Sequence, residues 1–163
     1  MMDFKALENK IINDVAVEAA DEFDRNFERK AFFNQHWPAA KMHNSRGSLL
    51  NRTGSLRRSI RYTISSGNIR FTSSLPYASI HNQGGEIIVT AKMKKYFWAM
   101  HYKTSGTEAE KWKSLALMPL GHRIKIQKRQ FIGNHPDITK AVKKIVDENV
   151  KRFSEDLLRQ FRR

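Results

Sequence analysis

Apolar residues recur every three or four positions at both ends of this chain and every second position in its middle, so helix, strands and helix must follow in that order. Phe4, Leu7, Ile11, Val15, Ala19, Phe23 and Phe27 form the first stripe, with charges filling the gaps. The spacing predicts a helix from about Asp3 to Arg29, with Asp3 as N-cap, because a short carboxylate there can accept from an amide of the first turn. Asp14, Glu18, Asp21, Glu22, Asp24 and Glu28 fall away from most of that stripe and read as a solvated acidic face. Ile138, Val142, Ile145, Val146, Val150, Phe153, Leu157 and Phe161 repeat the pattern after N-H-P-D, where Pro136 suits a first helical turn, and predict a second helix from about Pro136 to Gln160. Neither stripe keeps strict heptads, which favours helices packed on a sheet over a coiled coil.

Between the helices Tyr62 and Ile64 alternate with polar residues, S-S-G-N supplies turn chemistry, and Ile69, Phe71 and Ser73 alternate again, the pattern of a β-hairpin. Ile87, Ile88 and Val89 follow Gly84-Gly85 as a β-branched run and predict a third strand over Glu86–Thr90. A fourth includes Ile124 and Ile126, entered after Gly121 and left at Lys128. The order implies an α+β fold, with long N- and C-terminal helices packed on one face of a mainly antiparallel sheet of about four strands. Segments 31–48 and 103–114 carry Asn, Gly, Ser and Lys with little periodicity and read as long loops. With 163 residues and 40% apolar content, one domain over 1–163 is expected rather than two cores.

Thirty Lys and Arg against sixteen Asp and Glu leave a formal charge of +14, which points to an anionic partner without naming one. The charge is uneven, since residues 1–30 carry eight acids and five bases whereas residues 41–70 carry seven bases and no acid. The chain has no cysteine, which excludes disulfides, thiolate nucleophiles and cysteine-ligated zinc. Charges come too early at the N-terminus for a signal peptide, and no stretch reaches the roughly 18 apolar residues of a spanning helix. An intracellular chain, or one released by lysis, with no membrane association is expected.

Enzymatic chemistry finds little footing. His36, His43, His81, His101, His122 and His135 are dispersed, and none shows the spacing that puts two imidazoles on one helical face for a metal. Glu86, Glu108 and Glu110 are the only acids between residues 31 and 136, too few for the converging carboxylates of a glycosidase or two-metal nuclease. Phosphate-cradling glycine loops and a nucleophile elbow are both missing from the sequence, so no cofactor, small-molecule substrate or catalytic residue is expected. His81 near Glu86 is the one pair that could bear on proton transfer, and a hydrogen-bonded structural histidine is the favoured reading.

The basic cluster is more informative. R-T-G-S-L-R-R-S-I-R places Arg57, Arg58 and Arg61 at i, i+1 and i+4 with Leu56 and Ile60 on a neighbouring face. As a short helix capped by Thr53 or Ser55, it would hold its arginines on one outward arc, suited to phosphate or carboxylate. The alternative is a solvated face with one arginine in an ion pair. Tyr96, Phe97, Trp98 and Tyr102 stand beside Lys92, Lys94 and Lys95. Aromatics interleaved with bases can stack on nucleic-acid bases, but Y-F-W-A-M-H-Y is also apolar enough for a core or a subunit interface.

The ordered set L-L-N-R-T-G-S-L-R-R-S-I, P-Y-A-S-I-H-N-Q-G-G, K-M-K-K-Y-F-W-A-M and K-R-Q-F-I-G-N-H-P-D resembles the phage virion morphogenesis family, which includes tail completion proteins and prophage copies. The resemblance falls on Thr53, Gly54, Leu56, Arg57 and Ile60, on Tyr77, Ala78, His81, Gly84 and Gly85, and on Arg129, Phe131, Ile132 and Gly133. It supplies no catalytic residues. It implies a structural protein of the virion, present in the host bacterial cytoplasm during assembly, that acts in tail completion or head–tail joining as a homo-oligomeric ring, for instance a hexamer, with other tail or head-connector proteins as partners. Arg57, Arg58, Arg61, Lys92, Lys94 and Lys95 are then the candidate partner- or DNA-facing surface, and Tyr96, Phe97 and Trp98 the candidate interface aromatics. An acidic N-terminal helix meeting a basic middle would suit head-to-tail ring contacts, and charge swaps at Arg57 and Arg58 would weaken assembly. The rival reading is a basic nucleic-acid-binding module.

Overall fold

The computed structural model describes residues 3–40 and 48–161. His43 and the centre of the loop expected over 31–48 lie outside the described residues. Helix α1 spans Phe4–Arg29 and begins where Asp3 Oδ1 accepts from the Ala6 amide at 2.7 Å. It ends where Lys30 turns left-handed at φ 53° and its amide donates to the Asn26 carbonyl. Ala16, Ala19, Phe23 and Phe27 keep the three-or-four spacing and are buried. The C-terminal helix α6, Pro136–Phe161, packs chiefly on α1. Asn149 Nδ2 donates to Asp14 at 3.0 Å, and the Phe153 and Phe4 rings meet at 5.2 Å. Hydrogen bonds from Lys10 first and Asn149 second hold the Asp14 carboxyl below its usual range.

The chain after α1 does not loop freely as its composition suggests. Strands β1, Ala31–Phe32, and β2, Gln35–His36, pair antiparallel through a tight turn in which Phe33 takes φ 54°. That turn delivers Phe32 and Phe33 to a cluster with Ala19 and Phe23, and Phe33 stacks on His135 at 4.0 Å. The short helix α2, Ser55–Ser59, leads into β3, Ile60–Ser65, which pairs with β4, Asn68–Ser73. Ser66 at φ 49° and Gly67 at φ 75° give the two left-handed positions that a type I′ hairpin turn needs. Phe71 of β4 meets Phe23 edge-on at 4.9 Å, seating the hairpin on α1.

Helix α3, Ala78–Gln83, precedes β5, Gly85–Ile88, and β5 pairs with β6, Arg123–Ile126. Between them stand α4, Ala91–Lys103, and α5, Gly106–Leu117, packed chiefly on each other. Segment 103–114, expected as a loop, is therefore largely helical. Glu108 sits in the first turn of α5, and buried Ala109 and Ala116 face α4 with Trp112, which stacks on Phe97 at 6.0 Å. The fold is α+β with antiparallel strands and long terminal helices. Among the described residues, however, the strands form three separate two-stranded sheets rather than one sheet of about four. Alternation marks the face that is buried, but which pair joins which is decided by long-range packing.

Gly84 and Gly67 share a left-handed backbone, but only one of them also sits in a close approach. Gly84 closes α3 at φ 76°, and a Cβ there would lie 3.0 Å from the Lys128 amide nitrogen and 3.2 Å from its Cα. Gly67 has nearly the same φ but nothing within 4 Å of an added Cβ. Gly84→Ala is expected to cost about 2–3 kcal/mol in urea unfolding, against about 1 kcal/mol for Gly67→Ala, because only the first adds backbone collision to left-handed strain. Equal losses would refute the assigned close approach.

Candidate functional site

Residues 127–135, between β6 and α6, make no helix or strand, so their backbone groups need partners from outside a ladder. Asn82 Oδ1 accepts from the amides of Phe131 and Ile132 at 2.8 and 3.0 Å, and its Nδ2 donates to the Ile132 carbonyl at 3.1 Å. Asn26, fully buried on α1, donates to the Phe131 carbonyl at 3.2 Å and accepts from the Phe33 amide at 2.9 Å. Trp37 Nε1 donates to the Gln130 carbonyl at 2.6 Å, and the Arg129 amide donates to the His81 carbonyl at 2.8 Å. Phe131, so fixed, joins Phe27, Trp37, Leu56 and Ala78 in the core.

This arrangement brings together three of the four sequence motifs, all but K-M-K-K-Y-F-W-A-M. Thr53, Gly54 and Leu56, then Tyr77 and His81, then Arg129 line one cavity of about 600 Å³, completed among the described residues by Ala40, Leu49, Leu50, Arg52 and Ser55. Arg129 is only 9% exposed, yet its guanidinium meets neutral acceptors alone. Nε donates to the Pro38 carbonyl at 3.0 Å, and Nη2 to Ala39 at 3.1 Å and Gln127 Oε1 at 3.3 Å. Burial holds its pKa below the usual guanidinium value. His81 Nδ1 is buried without a hydrogen-bond partner, and desolvation first, with the Arg129 charge second, pushes its pKa below the ordinary imidazole value. A histidine so placed is neutral at pH 7. Glu86 pairs with Arg123 at 3.0 Å, so the His81 and Glu86 pairing raised by the sequence is not formed. Of the other motif positions, Ala78 and Phe131 lie in the core cluster with Ile132 packed against it, and Gly84, Gly85 and Gly133 take positive φ.

The basic cluster is divided. Arg57 reaches back to Asp24 and Glu28 of α1, and those carboxylates push its pKa up. Arg58 donates to the Thr53 carbonyl at 2.8 Å. Arg61 lies on β3 rather than on the helix and donates to the Arg58 carbonyl at 2.6 Å. The three therefore do not form one helical arc, because α2 stops at Ser59 and Arg57 turns inward. Asp21 and Glu22 are taken up by Arg25 and Arg29, so much of the acidic face of α1 is neutralised within the subunit.

Lys92, Lys94 and Lys95 lie on α4, and none makes an ion pair among the described residues. The exposed face of α4 is Lys92, Lys95, Tyr96, Ala99, Tyr102 and Lys103. Tyr96 is 55% and Tyr102 79% exposed, whereas Phe97 is buried against Trp112 and Trp98 is half-buried over Tyr102. Phe97 thus serves the core of the α4–α5 pair, and Tyr96 alone of the three candidate interface aromatics is exposed, with its ring edge-on to Trp112 at 5.8 Å. Asn26, Trp37 and Asn82 were not singled out by sequence. An asparagine on the apolar stripe of a long helix was the readable signal for Asn26.

Among the described residues no group of three His, Asp or Glu could hold a metal ion, and no helix is long and apolar enough to cross a membrane. In comparison with known proteins, a family model described as the phage virion morphogenesis family matches residues 8–151. No curated protein and no solved structure is matched.

Proposed function

The chain belongs to the phage virion morphogenesis family, and from that premise we propose that it is a non-enzymatic assembly protein that completes the tail or joins it to the head as a homo-oligomeric ring. The observation that supports this best is the α4–α5 pair. Its two helices pack chiefly on each other while Tyr96, Tyr102 and Leu117 stay 55%, 79% and 63% exposed, with Leu120 and Ile88 open beside them. Large apolar side chains left out of the subunit core are what an interface buries. Ring contacts are placed here rather than between the acidic α1 and the arginine cluster, since Arg57 already pairs with α1 within one chain. Light scattering after size exclusion, across protein concentration and salt, tests the reading. A discrete multimer of about six or more subunits is expected, dissociating when Tyr96, Tyr102 and Leu117 are changed together to serine. A multimer indifferent to those changes removes α4–α5 from the interface, and a monomer at every concentration sinks self-assembly.

A second reading, direct contact with DNA, is favoured by one observation: α4 carries Lys92, Lys94, Lys95 and Lys103 and no acid. Phosphate contact by such a face is electrostatic and independent of sequence. Fluorescence anisotropy with a short duplex should show binding that Lys92→Glu, Lys95→Glu and Lys103→Glu together weaken at least about tenfold, with the salt slope reduced by about 2–3. An unchanged slope would exclude α4 from the contact.

A further inference from the structure

We propose that the cavity between α2, α3 and Arg129 is a docking site for an aspartate or glutamate side chain carried on an extended apolar segment of another protein. Its wall has both parts of such a recognition site. Leu49, Leu50, Leu56 and Tyr77 supply apolar surface, while Arg52 and Arg129 supply charge, and no carboxylate of the described residues lines it. Arg129 is nearly buried, and its guanidinium donates through Nε and Nη2 to two carbonyls and an amide oxygen, none of them charged. A buried charge held only by neutral dipoles remains uncompensated, and a carboxylate entering beside it supplies the missing counter-charge. Arg52, exposed and in no ion pair among the described residues, adds a second cation at the rim. His81 also lines the cavity, and its Nδ1 is buried without a partner. A volume of about 600 Å³ is within the range of ligand pockets and holds a few side chains.

A carboxylate is favoured over a nucleic-acid phosphate because the site is a recess with leucine walls, whereas a duplex presents its phosphates on a broad convex backbone. The proposal deepens the assembly reading by naming what a partner in the virion presents. It rests on that reading only for the partner's origin, since probe binding is measured on the subunit whether or not a ring forms.

The probe is the blocked tripeptide acetyl-leucyl-aspartyl-leucinamide, set against its asparaginyl counterpart, titrated into the intact protein and followed by NMR shifts of the His81 ring and the Leu49, Leu50 and Leu56 methyls. The aspartyl peptide is expected to bind at least about tenfold more tightly than the asparaginyl one, a difference of about 1.4 kcal/mol. Arg52→Glu, a change at the exposed rim, should erase that preference while leaving the unfolding midpoint near that of the wild type. Equal affinity for the two peptides, shifts confined to other residues, or an Arg52→Glu protein that still prefers aspartate would each overturn the proposal. Displacement of the peptide by duplex DNA at matched phosphate concentration would overturn it in favour of a phosphate site.

Discussion

Replacing Phe131 by alanine is expected to remove about 3–5 kcal/mol of folding stability, a large share of the roughly 5–15 kcal/mol that holds a domain of this size together. Phe131 is 1% exposed, and its ring lies 5.1 Å from that of Phe27, which in turn meets Trp37 edge-on at 5.6 Å. Leu56 and Ala78 close the same cluster, so one side chain is shared by α1, α2, α3 and the segment leading into α6. The hole left by the ring would be slow to collapse, because the backbone on which it stands is fixed by side chains of Asn26 and Asn82 rather than by a deformable loop. Urea unfolding followed by circular dichroism measures the loss. Phe131→Leu, which refills most of the volume, should recover more than half of it. A loss below about 1 kcal/mol for alanine would show that this cluster is not the centre of the core.

Periodicity carried the two long helices because each has a single wide stripe and a marked start: Asp3 caps α1, and Pro136 opens α6. The β3–β4 hairpin was legible for a similarly local reason, since alternation and S-S-G-N lie within fourteen residues of one another. Helix α5 was missed although S-G-T-E has the form of a capping box and Ala109, Trp112 and Ala116 are three and four apart. Its small alanines and its glycine and lysines read as loop composition, and the partner that makes the alanine face useful, Phe97 of α4, is visible only once the two helices pack. The division of the described strands into three two-stranded sheets had no local signal at all, because hydrogen-bonding partners across a fold are set by helices that separate the pairs.

The site divides along the same line. Thr53, Tyr77, His81 and Arg129 could be picked out through a resemblance, and they do meet at one cavity, but their joint position depends on three chain segments that are distant in sequence. The inward turn of Arg57 could not be read from R-T-G-S-L-R-R-S-I-R, because it depends on Asp24 and Glu28 being one helical turn apart on a different element. Charge counted along the sequence made α1 and the arginine cluster look like two external faces. Folding joins them instead.

Asn82→Ala should lower stability by about 2–4 kcal/mol, an effect out of proportion to a half-buried polar side chain. One oxygen of Asn82 serves two amides, those of Phe131 and Ile132, and its nitrogen serves the Ile132 carbonyl. Phe131 is wholly enclosed, so its amide has no water to turn to when the acceptor is removed, and the desolvation cost is felt in full. Asn82→Asp separates the roles, since it keeps an oxygen for both amides but sets a second, charged oxygen against the Ile132 carbonyl in place of the donor. It too is expected to lose stability, and amide hydrogen exchange tells the two losses apart. The Phe131 and Ile132 amides should lose protection in the alanine protein and keep it in the aspartate one. If both variants exchange alike, the segment is held by Phe131 packing alone. If they differ as stated, one asparagine maintains the bend that sets Arg129 in the cavity wall, and the chemistry of the site begins with a backbone that has no regular structure of its own.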